Sequence, residues 1–299
     1  MGTCPHEVNG AITSSPAAVC KAAGRVGITR MARKTWQPSP RVRRPRHKRP
    51  VPRPRFRGPH APDGPALLYG WHTVKAALEN PTRRIRRLLA TENALRRLAH
   101  DGVSLPVKPE LVRPNVIDAR LGPDAVHQGL LAEADPLPAP TIIELAPEGI
   151  VLVLDQITDP HNVGAILRSA AAFAVKAIVT TARHSPESTG VLAKSASGAL
   201  ELVPMVLVQN LARGMEELRR QGFLLVGLDS VGTSDLADLV LRAPIALVLG
   251  AEGKGLRQLT RSTCDHVARI DLPGQIKSLN VSNAAALGLY VASRTLRSV

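Results

Sequence analysis

Six apolar runs, at residues 150–155, 176–180, 202–208, 223–229, 245–250 and 267–272, recur through the second half of this chain. Most are near-continuous stretches of Val, Ile, Leu and Ala rather than alternations of apolar and polar residues. Strands of that kind are buried on both faces, which is the condition of a mostly parallel sheet covered by helices on each side. The intervening segments, such as 211–221, have helical spacing. The pattern predicts an open α/β sheet over 150–299, with helices on both faces and no internal repeat.

The chain upstream reads differently. Residues 66–135 form a small α/β unit: a strand turning into an amphipathic helix over 68–78, an apolar run at 85–90, a helix at 93–100 with Arg96 and Arg97 outward, and a strand at 126–132. Pro136, Pro138 and Pro140 make 136–149 a stiff linker, because proline fixes φ and has no N–H. Residues 1–65 hold fourteen Lys and Arg against Glu7 and Asp63, a net of +12 out of +15 for the whole chain. An Arg/Pro-rich segment with so few apolar residues does not bury enough surface to fold alone. It reads as a disordered arm that neutralises phosphates without reading sequence. A solvated tail without a partner is the bland alternative, and the acid-poor stretch 1–35 also admits a targeting peptide. Met31 is a second candidate start; a native chain whose mass begins at Met1 would dismiss it.

Composition excludes several classes. No run reaches the roughly eighteen apolar residues of a membrane-spanning helix. Cys4, Cys20 and Cys264 lie far apart with no C-x-x-C pair, which argues against a zinc site or disulfide scaffold and fits a reducing, cytoplasmic setting. Aromatic residues are 2% of the chain, too few for a base-stacking sheet.

Three segments carry candidate chemistry. Asp159-Pro-His-Asn-Val-Gly-Ala-Ile-Leu-Arg168 opens a helix, with Asp159 as cap and Pro160 in the first turn. Val163, Ile166, Leu167, Ala170 and Phe173 form its apolar stripe, and Arg168 lies about 140° from Val163. Read alone, Arg168 is a solvated surface arginine and Asn162 a cap. The loop in Leu249-Gly-Ala-Glu-Gly-Lys-Gly-Leu256 follows an apolar strand, where glycines permit close backbone approach to a ligand. It is neither a P-loop, since Leu256 stands where Lys-Ser/Thr would be needed, nor a dinucleotide fingerprint, since the glycine order is wrong. A plain tight turn is the alternative. Finally, Leu272-Pro-Gly-Gln-Ile-Lys-Ser-Leu-Asn-Val-Ser282 sets Ser278, Asn280 and Ser282 at the mouth of a small-residue helix, 283–292. Free N–H groups at a helix start are good donors to an anion; polar capping of a core helix is the other reading. Asn280-Val-Ser282 also matches the glycosylation pattern, by chance in a cytosolic chain.

Taken jointly, in this order and on these strand ends, the segments resemble the Asn-x5-Arg, Gly-x-Glu-Gly and Ser-Leu-Asn-Val-Ser motifs of the SpoU (TrmH) family of RNA ribose 2′-O-methyltransferases, of the SPOUT superfamily. The resemblance spans about 150–297, and Lys194-x-Ser-x-Gly-Ala199 and Asn210-Leu-Ala-Arg213 share it. Leu68-Tyr-Gly-Trp-His-Thr-Val74 and Ala125-Val-His-Gln-Gly129 resemble the family's small L30e-like substrate-binding domain. Ala174 departs from the family, many members of which have glycine there.

The resemblance implies a trefoil-knotted sheet that forms the pocket for S-adenosyl-L-methionine. It implies Gly250, Ile270 and Leu279 as main-chain contacts to that cofactor, with Gly253 and Leu272 beside them. Arg168 would act on the ribose hydroxyl, Asn162, Ser278 and Asn280 would shape the site, and Glu252 would hold the loop. It further implies a homodimer built through the knot helices, with 283–292 as a candidate surface, no metal, and an RNA partner. The small amino-terminal domain points to rRNA over tRNA, and the nearest branch methylates a guanosine in 23S rRNA. The competing readings are a tRNA ribose methyltransferase of the same family and a non-catalytic RNA-binding ribosome-assembly factor. A nucleotide-dependent oxidoreductase lacks its glycine spacing.

Overall fold

The computed structural model describes residues 65–122, 124–183 and 190–297. The basic arm lies outside the described residues except for Pro65, as do Cys4, Cys20 and Met31.

Two sheets organise the described chain. The first comprises β1 (Ala66–Tyr69), β2 (Ile85–Ala90), β3 (Glu110–Leu111) and β4 (Leu130–Ala134), in the order β1-β4-β2-β3. β4 is antiparallel to both β1 and β2, while β3 runs parallel to β2. Helices α1 (Trp71–Glu79), α2 (Glu92–His100) and α3 (Pro114–Leu121) cover it. The strand expected at 126–132 begins only at Leu130, because Gln128 and Gly129 turn the chain at φ 54° and 79°. Trp71 and Leu88 anchor the core of this unit.

The second sheet holds β5 (Ile150–Asp155), β6 (Ala177–Thr181), β7 (Met205–Val208), β8 (Leu224–Leu228), β9 (Ser234–Asp235), β10 (Ile245–Gly250) and β11 (His266–Arg269), in the order β7-β6-β5-β10-β8-β11-β9. Its recorded strand pairs are all parallel. Every residue of β5 is buried, as a continuous apolar run requires. Leu152, Leu154, Leu247 and Leu249 face one core with α4 (Pro160–Ala172) and α8 (Val281–Arg297). Val151, Val153, Ala246 and Val248 face another with α6 (Leu211–Arg220). The run expected from 202 enters the sheet only at Met205, since Pro204 has no N–H for the ladder. The run expected to 272 leaves the sheet after Arg269.

In a parallel sheet all carboxyl ends fall on one edge, where α/β folds place ligands. The loops after β5, β8, β10 and β11 share that edge. Two short helices complete the unit, α5 (Gly190–Ala196) and α7 (Gln258–Thr263).

The first sheet docks on α5 and on the 3-10 turn Ala199–Glu201 that follows it. Thr73 Oγ1 donates to the Ala193 carbonyl at 3.1 Å, and Ala193 belongs to the core around Trp71. Arg83 grips Glu201 through Nε and Nη2, with side chains only 5% and 3% exposed. Asn80 Nδ2 donates to the same carboxylate at 2.8 Å, and Arg83 Nη1 to the Asp135 carbonyl at 2.8 Å. Removing one partner strands a buried charge, which costs about 3–5 kcal/mol. Glu201→Ala is therefore expected to lower the melting temperature by on the order of 10 °C, and Arg83→Met with Glu201→Leu to recover much of it. Thermal unfolding of the single and double variants checks this.

Candidate functional site

The first motif folds as read. Asp159 Oδ1 accepts from His161 N at 3.0 Å and starts α4 ahead of Pro160. Val163, Ile166, Leu167 and Ala170 are buried, with Phe173 half-buried at the helix end. Ala174 adopts φ 52°, a left-handed conformation that glycine occupies without strain, so the departure from the family pattern falls where glycine is favoured. Gly164 lets α5 approach: a Cβ there would lie 2.4 Å from the Ser195 Cβ. At the same crossing Ser195 Oγ lies 3.2 Å from His161 Nδ1.

The second motif is a closed loop. Gly255 N donates to the Ala251 carbonyl at 2.9 Å, and Gly253 and Gly255 take φ 74° and 62°. A Cβ on Gly250 would fall 2.2 Å from the Gly255 carbonyl carbon, so no side chain fits at 250. Two buried aspartates pin this loop. Asp155, at the end of β5, accepts from Arg257 N at 3.1 Å and Arg257 Nε at 2.7 Å. Asp229, just past β8, accepts from Leu256 N at 3.1 Å, Arg261 Nη2 at 2.7 Å and Val231 N at 3.2 Å. Sequence reasoning gave neither a role. The available signal was an ionisable residue closing a buried apolar strand at the ligand edge.

Burial alone would raise the Asp229 pKa, but the hydrogen bonds from Arg261, Leu256 and Val231 outweigh it and hold the carboxyl below the ordinary aspartate range. A carboxyl whose folded pKa lies below its unfolded value adds stability above the unfolded value, about 3.9, and loses it as pH falls through the folded one. Asp229→Asn is therefore expected to lower the melting temperature more at about pH 7 than at about pH 3. Parallel melts of both proteins test the sign.

The third motif joins the other two. Asn280 Oδ1 accepts from Ser282 N at 2.8 Å and Ser282 Oγ at 2.6 Å, which caps the start of α8. Its Nδ2 donates to Asn162 Oδ1 at 3.0 Å and reaches Glu252 Oε2 at 3.5 Å. One side chain thus ties α4, the glycine loop and α8. Val281, Ala285, Gly288, Leu289 and Ala292 of α8 are buried, the first two and last two in the core shared with α4. The helix is longer than the expected 283–292 span.

Not every expected residue joins this cluster. Arg168 is exposed on α4 and has no hydrogen bond or ion pair among the described residues. Ser278 is exposed, also without a recorded bond. Ile270, Leu272 and Leu279 are half-buried around the loop that follows β11. Asp235 Oδ2 holds the start of that loop through Asp271 N at 2.8 Å, and Lys277 Nζ donates to the Leu272 carbonyl at 2.5 Å. From Leu272 to Leu279 no backbone N–H has a recorded partner among the described residues. A Cβ at Gly253 would meet only open space. Unpaired main-chain groups beside half-buried aliphatic side chains suit an adenosyl group, which offers apolar ring faces and a polar edge. The donor set therefore fits S-adenosylmethionine. No cluster of three or more His, Cys, Asp or Glu able to hold a metal occurs among the described residues. Cys264 is a mostly buried thiol, its pKa pushed up to about 12 by burial and by the neighbouring Asp265.

Comparison with known proteins gives a consistent result. Residues 149–290 match the SpoU rRNA Methylase family, and 67–140 match the RNA 2′-O ribose methyltransferase substrate binding family. The 23S rRNA (guanosine-2′-O-)-methyltransferase RlmB of Vibrio cholerae is 39% identical over 245 residues, covering 76% of this chain and 96% of its own. Among solved structures, the SpoU methyltransferase AviRb of Streptomyces viridochromogenes superposes with TM-score 0.67 at 26% identity, over 79% of this chain and 91% of that one. The same enzyme in complex with AdoMet gives 0.65 at 27%, over 77% and 90%.

Proposed function

The chain belongs to the SpoU family of RNA methyltransferases, and on that footing we propose that it methylates the 2′-oxygen of a guanosine ribose in 23S rRNA with S-adenosylmethionine as donor. The observation that carries this reading is the Asn280 side chain, which links Asn162 and Glu252 beside the glycine loop.

When bound, S-adenosylmethionine supplies an electrophilic methyl group on its sulfonium. The chain must then place a weak nucleophile, the ribose hydroxyl, in line and favour loss of its proton. Arg168 is assigned to the hydroxyl and its neighbouring phosphate. A guanidinium stays protonated at working pH, so it stabilises negative charge on oxygen rather than accepting the proton. Its exposure without a partner leaves it free for that task. Asn162 and Asn280 set the site's shape, Ser278 lines its approach, and Glu252 restrains the loop through Asn280. Gly250 and Gly253, with Ile270, Leu272 and Leu279, hold the adenosyl portion chiefly through main chain.

Division of labour follows the two sheets. Residues 66–135 present the RNA, 136–149 connect, and 150–299 carry the chemistry, with the basic arm of 1–65 adding phosphate contacts. The carboxy-terminal stretch is assigned the family's knotted path, supported by the return of α8 from β11 to pack on α4. Homodimerisation is assigned to α8, whose outer face leaves Leu287 and Tyr290 42% and 49% exposed. No described helix is long and apolar enough to cross a membrane, and the enzyme is placed in the cytoplasm with its substrate.

The test is methyl transfer from labelled S-adenosylmethionine to unmodified 23S rRNA and, separately, to unmodified tRNA, with ribose methylation mapped afterwards. A single guanosine on rRNA is expected. Labelling of tRNA alone would move the substrate, and cofactor binding without transfer to either would overturn the reading.

A further inference from the structure

A cavity of about 530 Å³ opens on the first sheet, away from the Asn280 cluster, between the starts of α1 and α2 and the turn 125–129. Its back wall is Trp71, the one tryptophan among the described residues and only 3% exposed. Over that indole lies the Arg97 guanidinium, its central carbon 3.7 Å from the ring centroid. Arg97 is exposed on its outer side, so the stack ends in an open planar cation. Its floor is a turn held from several directions. Gln128 stands at φ 54°, its Oε1 accepting from Trp71 N at 2.8 Å. Gly129 N donates to His127 Nδ1 at 3.0 Å, so the proton of a neutral His127 sits on Nε2, 3.0 Å from Asp118 Oδ1. A non-glycine residue at positive φ is costly and persists where surroundings over-determine it, as at ligand clamps.

The chemistry of the walls selects the ligand. No Asp or Glu lines the cavity. Thr91, Asn93 and Gln128 offer hydrogen-bonding groups, while Val126, 66% exposed, and Pro114 offer apolar contact. A second cation stands close by: Lys194 Nζ reaches Gln128 Oε1 at 3.4 Å and makes no ion pair among the described residues. A planar cation open on one face, amide groups at the edge and an acid-free rim suit a flat, polar-edged, negatively linked ligand. Volumes of roughly 300–1,000 Å³ are those of small-ligand sites. Single-stranded RNA is read in this way, by stacking a splayed base on an aromatic ring or guanidinium plane.

We infer that this cavity seats one unstacked nucleotide of the RNA substrate, with its base on the Arg97–Trp71 stack and its phosphate facing the cations. The inference rests on the methyltransferase reading for the identity of the RNA, and deepens it by locating where a nucleotide other than the target is held. The seated nucleotide requires an unpaired base, so the site distinguishes a bulge or loop from a duplex.

The test uses the full-length protein and unmodified 23S rRNA transcript. Arg97→Ala and Asn93→Asp, both on the exposed face of α2, are expected to raise the Kd for the transcript and the KM for methylation by about tenfold. The loss should fall on KM rather than kcat, with S-adenosylmethionine affinity and melting temperature unmoved. Arg97→Lys keeps the charge and loses the plane, and is expected to stay impaired. Wild-type Kd in both Arg97→Ala and Asn93→Asp would overturn the inference, and so would full rescue by Arg97→Lys, which would reduce the site to plain charge. Normal methylation by wild type and both variants would sink the cavity alone. Transcript binding that depends on Arg97, without methyl transfer, would sink the enzymatic reading and leave the cavity standing.

Discussion

Arg168→Ala is expected to lose methyl transfer by about a thousandfold or more while its affinity for S-adenosylmethionine stays at the wild-type value. The two readouts separate because of where the residue sits. Arg168 projects from the exposed side of α4, with no bond to the loop after β11 or to the glycine loop. Removing it leaves the cofactor-facing main chain as it was. Nor should folding suffer, since the apolar stripe of α4 does not include it. What disappears is a fixed positive charge for the developing oxyanion, and removal of one such preorganised donor typically costs a factor of 10²–10³. Arg168→Lys should recover only part of the rate, because an ammonium lacks the planar fork that grips a phosphate and a hydroxyl together. Isothermal titration with cofactor and single-turnover methylation measure the two quantities independently. Equal loss in both would show that Arg168 is structural.

Asn280→Ala should damage everything at once. It removes the cap of α8, worth about 1 kcal/mol, and the bridge to Asn162 and Glu252. Cofactor affinity is expected to fall by about tenfold and kcat by about a hundredfold, with a melting temperature lower by a few degrees. Asn280→Asp dissects the two functions. A carboxylate still accepts from Ser282 N and Oγ, so the helix start is kept. It no longer donates to Asn162, and it sets a second negative charge beside Glu252. Near wild-type stability with lost transfer is the expected outcome. If Asn280→Asp retained full activity, the bridge would have no part in the reaction.

Much of the architecture was legible because the large sheet is written in continuous apolar runs. The expected spans 150–155 and 245–250 coincide with β5 and β10. Misplaced edges trace to single residues, Pro204 for β7 and the Gln128–Gly129 turn for β4. β3 and α3 went unread because they bury little: Ile117 is the buried residue of α3, and a helix with one inward side chain has no periodicity to detect. The motif residues were legible only as a set. Their meeting point, Asn280, follows from the placement of α4 and α8, which local spacing does not specify. Asp155 and Asp229 escaped notice because an aspartate after an apolar run also reads as an ordinary strand end, and their partners Arg257 and Arg261 lie 102 and 32 residues away.

The buried Arg83–Glu201 pair makes the separation between the Trp71 cavity and the Asn280 centre a constant of the molecule. Sliding one past the other would strand a charge out of water. Such a rigid body works as a caliper. An RNA that engages both jaws is gauged by the reach between its seated base and its target ribose, whatever letters lie between them. Inserting a nucleotide in that span should spoil a substrate as thoroughly as changing the target itself.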